Sequence, residues 1–354
     1  MKILFDARYI NPENFDGIGR FSQGIGNALA KITPVEFLIC DERQKEFLPD
    51  NAVFHNFHSP TSPLEPFSAL KLNALKPDVF FSPMQTIGLR GKKFPAVLTL
   101  HDLIYYSHPK PPQDLPAYVR GIWRAYHQAY FPQRFLLNSA DAIVTVSETT
   151  KKLMQEHHLT TKPIQVVYNA CDEAQLRQRP LSERSKELVY MGSFMPYKNV
   201  KTLIQAINAL PDYRLRLLSR ISPKNQDKLL KLVTTKDQII FDNGVSDPIY
   251  HDILGSAFAA VNASYEEGFG IPLIEAMQQG APVVCSNIPI FHEIAGNAAL
   301  FASCDKPEEF VQAIKVLENK KNWELQSQKG IKQSKKFSWE KSAQSLYQLL
   351  KSIA

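Results

Sequence analysis

Two glutamates eight positions apart, Glu267 and Glu275, bracket the turn Gly268-Phe269-Gly270 and an apolar run from Ile271 to Met277. Carboxylates at this spacing could handle protons or grip hydroxyls. Small apolar residues come before them (Ala259, Ala260, Val261, Ala263) and a buried-looking run, Ala281 to Cys285, comes after. The pattern predicts strand, glycine turn, helix, strand. Such a turn presents backbone N–H groups to a phosphate or sugar at a helix start. One carboxylate is expected at the helix mouth and the other a turn or two inside. Glu266 has no assigned role and is expected at the surface. A cation precedes this stretch: Lys198, in Pro196-Tyr197-Lys198-Asn199, with Asn199 read as the N-cap of a helix from Val200 to Leu210. A lysine at a helix mouth could clamp a diphosphate. The plainer reading is a lone surface lysine.

The first half of the chain offers weaker candidates. His101-Asp102 follows the apolar run Val97 to Leu100. Histidine donates or accepts near neutral pH, and Asp102 could orient it or cap the next segment; a satisfied structural histidine is the bland alternative. Gly17-Ile18-Gly19-Arg20 reads as a glycine loop between a first strand, residues 2–6, and a helix from Phe21 to Lys31, either for a phosphate or simply for a tight turn. Ser82 and Ser147-Glu148 also follow apolar runs, and Ser147 reads as a helix N-cap.

Short apolar runs alternate with helical stretches along the whole chain. In the first part they are Val35–Cys40, Val79–Ser82, Ala96–His101, Ala142–Val146 and Ile164–Val167. A second series begins at Glu187 and runs through Leu215–Leu218, Ile239–Phe241, Phe258–Val261, Val283–Cys285 and Leu300–Phe301. This predicts an α/β protein with parallel sheets and ligands at the carboxyl ends of strands. At 354 residues two domains are expected, with the break in the polar stretch Asp172 to Lys186. Leu115 to Leu137 is rich in aromatics and arginine (Tyr118, Arg120, Trp123, Arg124, Tyr126, Tyr130, Arg134). It suits either a helix packed on the sheet or one lying on anionic lipid.

Composition excludes several classes. Hydrophobic residues are 44% and charged residues 21%, the balance of a globular chain. The net charge of +6 is spread evenly: 20 Lys and Arg face 17 Asp and Glu in residues 1–180, and 21 face 18 in 181–354. There is no basic arm and no nucleic-acid-binding signature. The four cysteines are scattered without a Cys-x-x-Cys pair, which predicts reduced thiols in a cytoplasmic protein. The apolar run at Met1 is too short for a signal peptide, and no window is long enough to span a membrane.

Taken in order, these pieces resemble the retaining nucleotide-sugar glycosyltransferases of glycosyltransferase family 4. The most specific part is the Glu-x7-Glu run from Glu267 to Glu275, followed by Ala276-Met277 and Gly280-Ala281-Pro282-Val283. Gly17–Arg20, His101-Asp102-Leu103, Ala140–Glu148, Val167-Tyr168-Asn169, Gly192-Ser193 and Pro196–Asn199 support it. The resemblance implies a GT-B fold, two Rossmann-like domains with parallel sheets facing across a cleft. Residues 1–180 would form the acceptor-side domain and 181–336 the nucleotide-sugar domain, with a helix over 337–354 crossing back to the first. It implies that Glu267 lies by the donor sugar and Glu275 on the ribose hydroxyls, while Lys198 neutralises the diphosphate. The amides of Gly268, Phe269, Gly270 and Ile271 would face sugar or phosphate, His101 the reacting sugar, and the Gly17–Gly19 loop with Arg20 the phosphates. Ser193, Asn199, Arg220 and Val245 complete the implied donor site. Many relatives carry Arg where this chain has Ser193, and Arg220 is the candidate replacement.

The implied chemistry is hexosyl transfer, with mannose from GDP-mannose as the leading donor and a UDP- or dTDP-sugar as the alternative. The acceptor would be a glycan or lipid-linked glycan in polysaccharide, lipopolysaccharide or glycolipid synthesis, met by peripheral contact at the cytoplasmic face of the inner membrane. No metal or other cofactor is expected, because a cation plus helix-mouth amides can hold the leaving group's charge and no Asp-x-Asp triplet is visible. A sugar phosphorylase or epimerase of the same fold, and a non-catalytic partner subunit, are the other classes.

Overall fold

The computed structural model describes residues 1–13, 16–111, 117–171 and 179–354, the side chains of 117–119 and 122 excepted. Leu115, the Tyr118 side chain and the polar stretch from Asp172 to 178 therefore lie outside the described residues. The chain divides into two units, Met1–Asp172 with Ser338–Ala354, and Glu173–Phe337.

Unit one runs β1 (Ile3–Asp6), α1 (Gly17–Ala30), β2 (Val35–Ile39), β3 (Val53–Asn56), α2 (Ser68–Leu75), β4 (Val79–Ser82), β5 (Ala96–Leu100), α3 (Ile104–Ser107), α4 (Ala117–Tyr126), α5 (Phe131–Leu137), β6 (Ala142–Thr145), α6 (Glu148–Glu156) and β7 (Ile164–Val166). Its seven strands lie in the order β3-β2-β1-β4-β5-β6-β7, all parallel. Parallel strands need crossovers, so both faces are covered and the strands inside the sheet are mostly apolar. Leu4, Leu38, Phe80, Leu98 and Ile143 share one core with Leu72 of α2, Leu137 of α5 and Met154 of α6. The alternate residues Phe5 and Phe37 point the other way, under Gly26 of α1.

Unit two runs β8 (Glu187–Tyr190), α7 (Val200–Ile207), β9 (Arg214–Leu217), α8 (Pro223–Leu230), β10 (Ile239–Phe241), α9 (Asp247–Ser256), β11 (Ala259–Asn262), α10 (Ile271–Gln278), β12 (Val283–Ser286), α11 (Pro289–Ala295), β13 (Ala299–Ala302), α12 (Pro307–Leu317) and α13 (Lys320–Ser334). Six parallel strands lie in the order β10-β9-β8-β11-β12-β13. In both units strand order reverses beside the first strand. The loops at the carboxyl ends part there and leave room for a ligand.

Several elements differ from expectation. The edge strand β3 carries no apolar run. Gly17–Arg20 is not a loop but the first turn of α1: Asp16 caps the helix, its Oδ1 accepting the Gly19 amide at 2.9 Å. Ser147 does cap α6, accepting the Thr150 amide at 3.0 Å. Of the described aromatic residues of 115–137, Trp123, Tyr126 and Tyr130 are half-buried, while Phe131 and Phe135 are exposed. Trp123 packs on His127 at 4.1 Å and on Tyr105 at 4.7 Å, and Tyr130 on Tyr106 at 4.3 Å between ring centroids.

A charged group is buried at the carboxyl end of β1. Arg8, 4% exposed, donates from Nε to Asp6 at 2.7 Å and from both terminal nitrogens to Glu65 at 2.8 and 2.9 Å. Ser82 donates to Asp6 at 3.1 Å. Burial works against the guanidinium's charge, but Asp6 and then Glu65 outweigh it and hold the proton more firmly than usual. Removing one member would strand a buried charge, a loss of about 3–5 kcal/mol. The network ties β1 to the 65–68 turn and to β4.

The last helix, α14 (Trp339–Ile353), belongs to unit one and packs along α1. Glycine inside a helix ordinarily costs about 1 kcal/mol relative to alanine, yet Gly24 sits in mid-α1. A Cβ there would stand 2.2 Å from the Trp339 indole. Gly24→Ala should therefore lower the urea unfolding free energy by about 1–3 kcal/mol. Gly121→Ala, with nothing within 4 Å, should be neutral or stabilising in the same measurement.

Candidate active site

The glycine turn in unit two is built as its sequence demands. Gly270 has φ +100°, a left-handed conformation that side chains resist, and a Cβ there would stand 3.0 Å from Phe291. It turns the chain from β11 into α10. Pro272 has no N–H, and the Leu273 amide is taken by the Gly270 carbonyl at 2.9 Å. The Gly270 and Ile271 amides have no acceptor among the described residues, and they lie at the positive end of the helix. The Phe269 side chain is buried edge-to-face against Phe337, 5.5 Å between centroids.

Lys198 and Glu267 meet here. Lys198 Nζ donates to both Glu267 oxygens at 2.7 Å, with only 16% and 9% of the two side chains exposed. Charge-assisted bonds of this length are strong. Buried Ser264 Oγ donates to Glu267 Oε1 at 2.8 Å. The Tyr197 ring lies 5.3 Å from the ammonium. Asn199 adjoins α7 in a left-handed conformation, φ 49°, but its side chain makes no cap. Instead Nδ2 donates to the carbonyls of Ala263 and Cys304 at 3.1 and 2.8 Å, and Oδ1 accepts from Thr202. The expected N-cap is thus a clamp that ties the lysine turn to the end of β11. The capping oxygen, Oδ1, is taken by the Thr202 hydroxyl instead of a helix amide.

Glu275 is 3% exposed and accepts from the Tyr250 hydroxyl of α9 at 2.8 Å. It lies one turn inside α10, as the spacing predicts. Glu266 is half-buried, not at the surface. Ser193 is exposed, and its carbonyl accepts from Tyr190 at 2.7 Å. Arg220 and Val245 lie on joined loops: the Asn243 side chain accepts the Ile221 amide at 2.9 Å, and the Gly244 amide donates to Leu218 at 2.8 Å. The exposed Arg220 side chain packs over Gly244 and makes no ion pair among the described residues.

In unit one, His101 follows β5 and packs edge-to-face on Phe21 of α1, 5.1 Å between centroids. Its Nε2 donates to the Pro83 carbonyl at 2.8 Å, which leaves a lone pair on Nδ1. Burial pushes its pKa down to about 4, against a small opposing pull from that carbonyl. The ring is neutral near pH 7. Asp102 accepts the Ile104 amide at 3.1 Å in a local turn before α3, whose N-cap position is Leu103. Gly17 and Arg20 lie in the first turn of α1, and the Gly19 amide, spent on Asp16, is not open to a phosphate.

Ser264 and Tyr250 were not legible as site residues, and Asn199 was read as a site residue and N-cap without its clamp. Ser264 sits beside the motif and could have been suspected. Tyr250 is brought in by α9, and no local spacing signals it.

Residues 172–337 match the family model for glycosyl transferases group 1, and residues 16–175 match glycosyltransferase family 4. The chain is 30% identical to the O-antigen chain mannosyltransferase B of Escherichia coli over 69% of this chain and 67% of that one. It is 28% identical to the O-antigen chain mannosyltransferase RfbU of Salmonella typhimurium over 62% of this chain and 60% of that one, so it spans less than two thirds of RfbU. It belongs to glycosyltransferase family 4. Among solved structures it resembles Anabaena Alr3699/HepE in complex with UDP and glucose, TM-score 0.76 at 17% identity over 99% of this chain and 100% of that one. It also resembles the sucrose-phosphate synthase of Thermosynechococcus elongatus, TM-score 0.75 at 18% identity over 99% and 98%. The fold is GT-B.

Between pH 6.5 and about 4 an unfolded His101 binds a proton that the folded one refuses. Stability therefore rises with pH across this window and falls on acidification. Unfolding free energies at stepped pH should show a steeper slope for wild type than for His101→Asn; equal slopes would refute the assignment.

Proposed function

We propose that this chain is a retaining hexosyltransferase that moves mannose from GDP-mannose to a glycan or lipid-linked acceptor in surface polysaccharide, lipopolysaccharide or glycolipid synthesis. The observation that carries the reading is the half-buried Lys198–Glu267 pair beside the Gly270 and Ile271 amides. Glycosyl transfer expels a nucleoside diphosphate through an oxocarbenium-like state. A lysine and helix-start amides stabilise the negative charge that develops on it. Glu267, relieved of Lys198 by the phosphate, turns to the sugar hydroxyls. Glu275, held by Tyr250, takes the ribose hydroxyls. His101, as a neutral ring, offers hydrogen bonding to the sugar and no charge. The mannosyltransferase relatives support the choice of mannose. The reaction uses no metal, so a chelator leaves the rate unchanged. The protein works in the cytoplasm, in peripheral contact with the inner membrane. Among the described residues no helix is long and apolar enough to cross one.

A thermal-shift screen should pick out GDP and GDP-mannose over UDP, dTDP and their sugars, since a ligand that binds only the folded chain raises the melting point. Lys198→Ala should lower kcat by about 100- to 1000-fold. A largest shift with UDP or dTDP would move the donor to that base, and no shift with any nucleotide would sink the reading.

Arg220 is proposed to supply the phosphate charge missing at Ser193. Arg220→Ala should raise the donor KM about tenfold, the effect of one charged hydrogen bond. Unchanged donor affinity and turnover would rule it out.

A further inference from the structure

One outer face of unit one carries apolar side chains that its core does not use. Leu64, Phe67 and Leu70 are 59%, 63% and 66% exposed, and Phe131 and Phe135 are 73% and 64% exposed. Leu64 and Phe67 lie at the turn before α2 and Leu70 in its first turn; Phe131 and Phe135 are one turn apart on α5. The two elements lie on the same face of the sheet, because Leu72 of α2 and Leu137 of α5 enter one core. What those residues bury fixes what the opposite sides of their helices expose. The turn is also held rigidly: Arg8 locks Glu65, and the Glu65 carbonyl accepts the Gly88 amide at 3.1 Å.

The exposed charges on these elements are basic; the acidic groups at their margins, Asp78 beyond Lys76 and Asp141 paired with Lys92, are few. Lys71 and Lys76 are exposed on and just after α2. Asn73 binds α2 to the next loop through Gly91 and Lys93, at 2.9 and 2.8 Å, and Arg90 and Lys93 are exposed there. Arg124 and Arg134 are exposed on α4 and α5. None of α2, α4, α5 or the 89–93 loop contains Asp or Glu. On α6, whose Met154 enters the same core, Glu148 and Glu156 each have a lysine one turn away, Lys151 and Lys152 at 3.8 Å. Exposed apolar groups within a basic surround match an anionic bilayer, whose interface takes the former and whose headgroups attract the latter.

We infer that the α2–α5 face of unit one docks on an anionic lipid surface, with its five exposed apolar side chains in the interfacial layer. This deepens the peripheral contact proposed above and rests on that reading. The occupant is the bilayer itself, so binding needs neither donor nor acceptor.

The test is cosedimentation of the full chain, without nucleotide, with vesicles of phosphatidylcholine containing phosphatidylglycerol and with phosphatidylcholine alone. The chain should follow the anionic vesicles and be released by high salt. Phe67→Ser with Leu70→Ser, and separately Phe131→Ser with Phe135→Ser, should each weaken binding about tenfold or more, while transfer to a water-soluble acceptor and the melting point stay at the wild-type level. A chain left in solution with anionic vesicles, salt-insensitive binding, or variants that sediment like wild type would each overturn the inference. Vesicle binding with no melting shift from any sugar nucleotide would uphold this surface and sink the transferase reading instead.

Discussion

A lysine and a glutamate, both largely shielded from solvent, anchor the candidate site. Lys198 meets Glu267 with two short bonds, and neither side chain is exposed enough for water to replace the other. Such a pair is weak evidence for stability, because desolvation offsets most of the attraction. It does keep a cation in place and compensated until a stronger anion arrives. The supporting groups serve this arrangement: Ser264 fixes one carboxylate oxygen, and Asn199 ties the lysine turn to the end of β11. Gly270 brings α10 in at the angle that leaves its first amides facing outward. On the proposed reading, a diphosphate exchanges one negative partner of Lys198 for another and releases Glu267 to bind hydroxyls.

This gives the two motif glutamates different characters although their spacing treats them alike. Glu267 is paired with a cation. Glu275 sits deeper, paired with a neutral phenol on another helix, and keeps its orientation. A carboxylate held by a hydroxyl donor retains lone pairs for a diol. One is half of an ion pair and the other an acceptor from a neutral hydroxyl.

The alternation of apolar runs was enough to read two parallel sheets, because parallel strands are buried on both faces and stand out as continuous apolar segments. It failed at β3, an edge strand whose Val53 is half exposed and whose sequence carries no such run. Gly17–Arg20 was misread for a local reason: glycines suggest a loop, but Asp16 just before them supplies a cap and makes a helix start. Asn199 failed in the opposite sense, since its capping oxygen accepts the Thr202 hydroxyl while its Nδ2 reaches carbonyls on distant loops. The glycine turn and the lysine turn were legible because their chemistry is local. Tyr250 and the Arg8 network were not, because their partners are brought together only by the fold. The aromatic stretch over 115–137 shows the limit of composition: the rings that drew attention pack on one another, and the exposed phenylalanines lie at its far end.

The membership of α14 in unit one has a consequence for synthesis. Unit two is an insertion, complete within Glu173–Phe337, so it can close while the chain is still being extended. Unit one cannot, because the notch over Gly24 stays open until Trp339 has been made and has left the ribosome. The usual order, in which the leading domain matures first, is therefore reversed. The strands made first wait longest for their last covering helix, with α1's apolar face uncovered meanwhile. A stalled or prematurely ended chain would leave a finished second unit tethered to an unfinished first one.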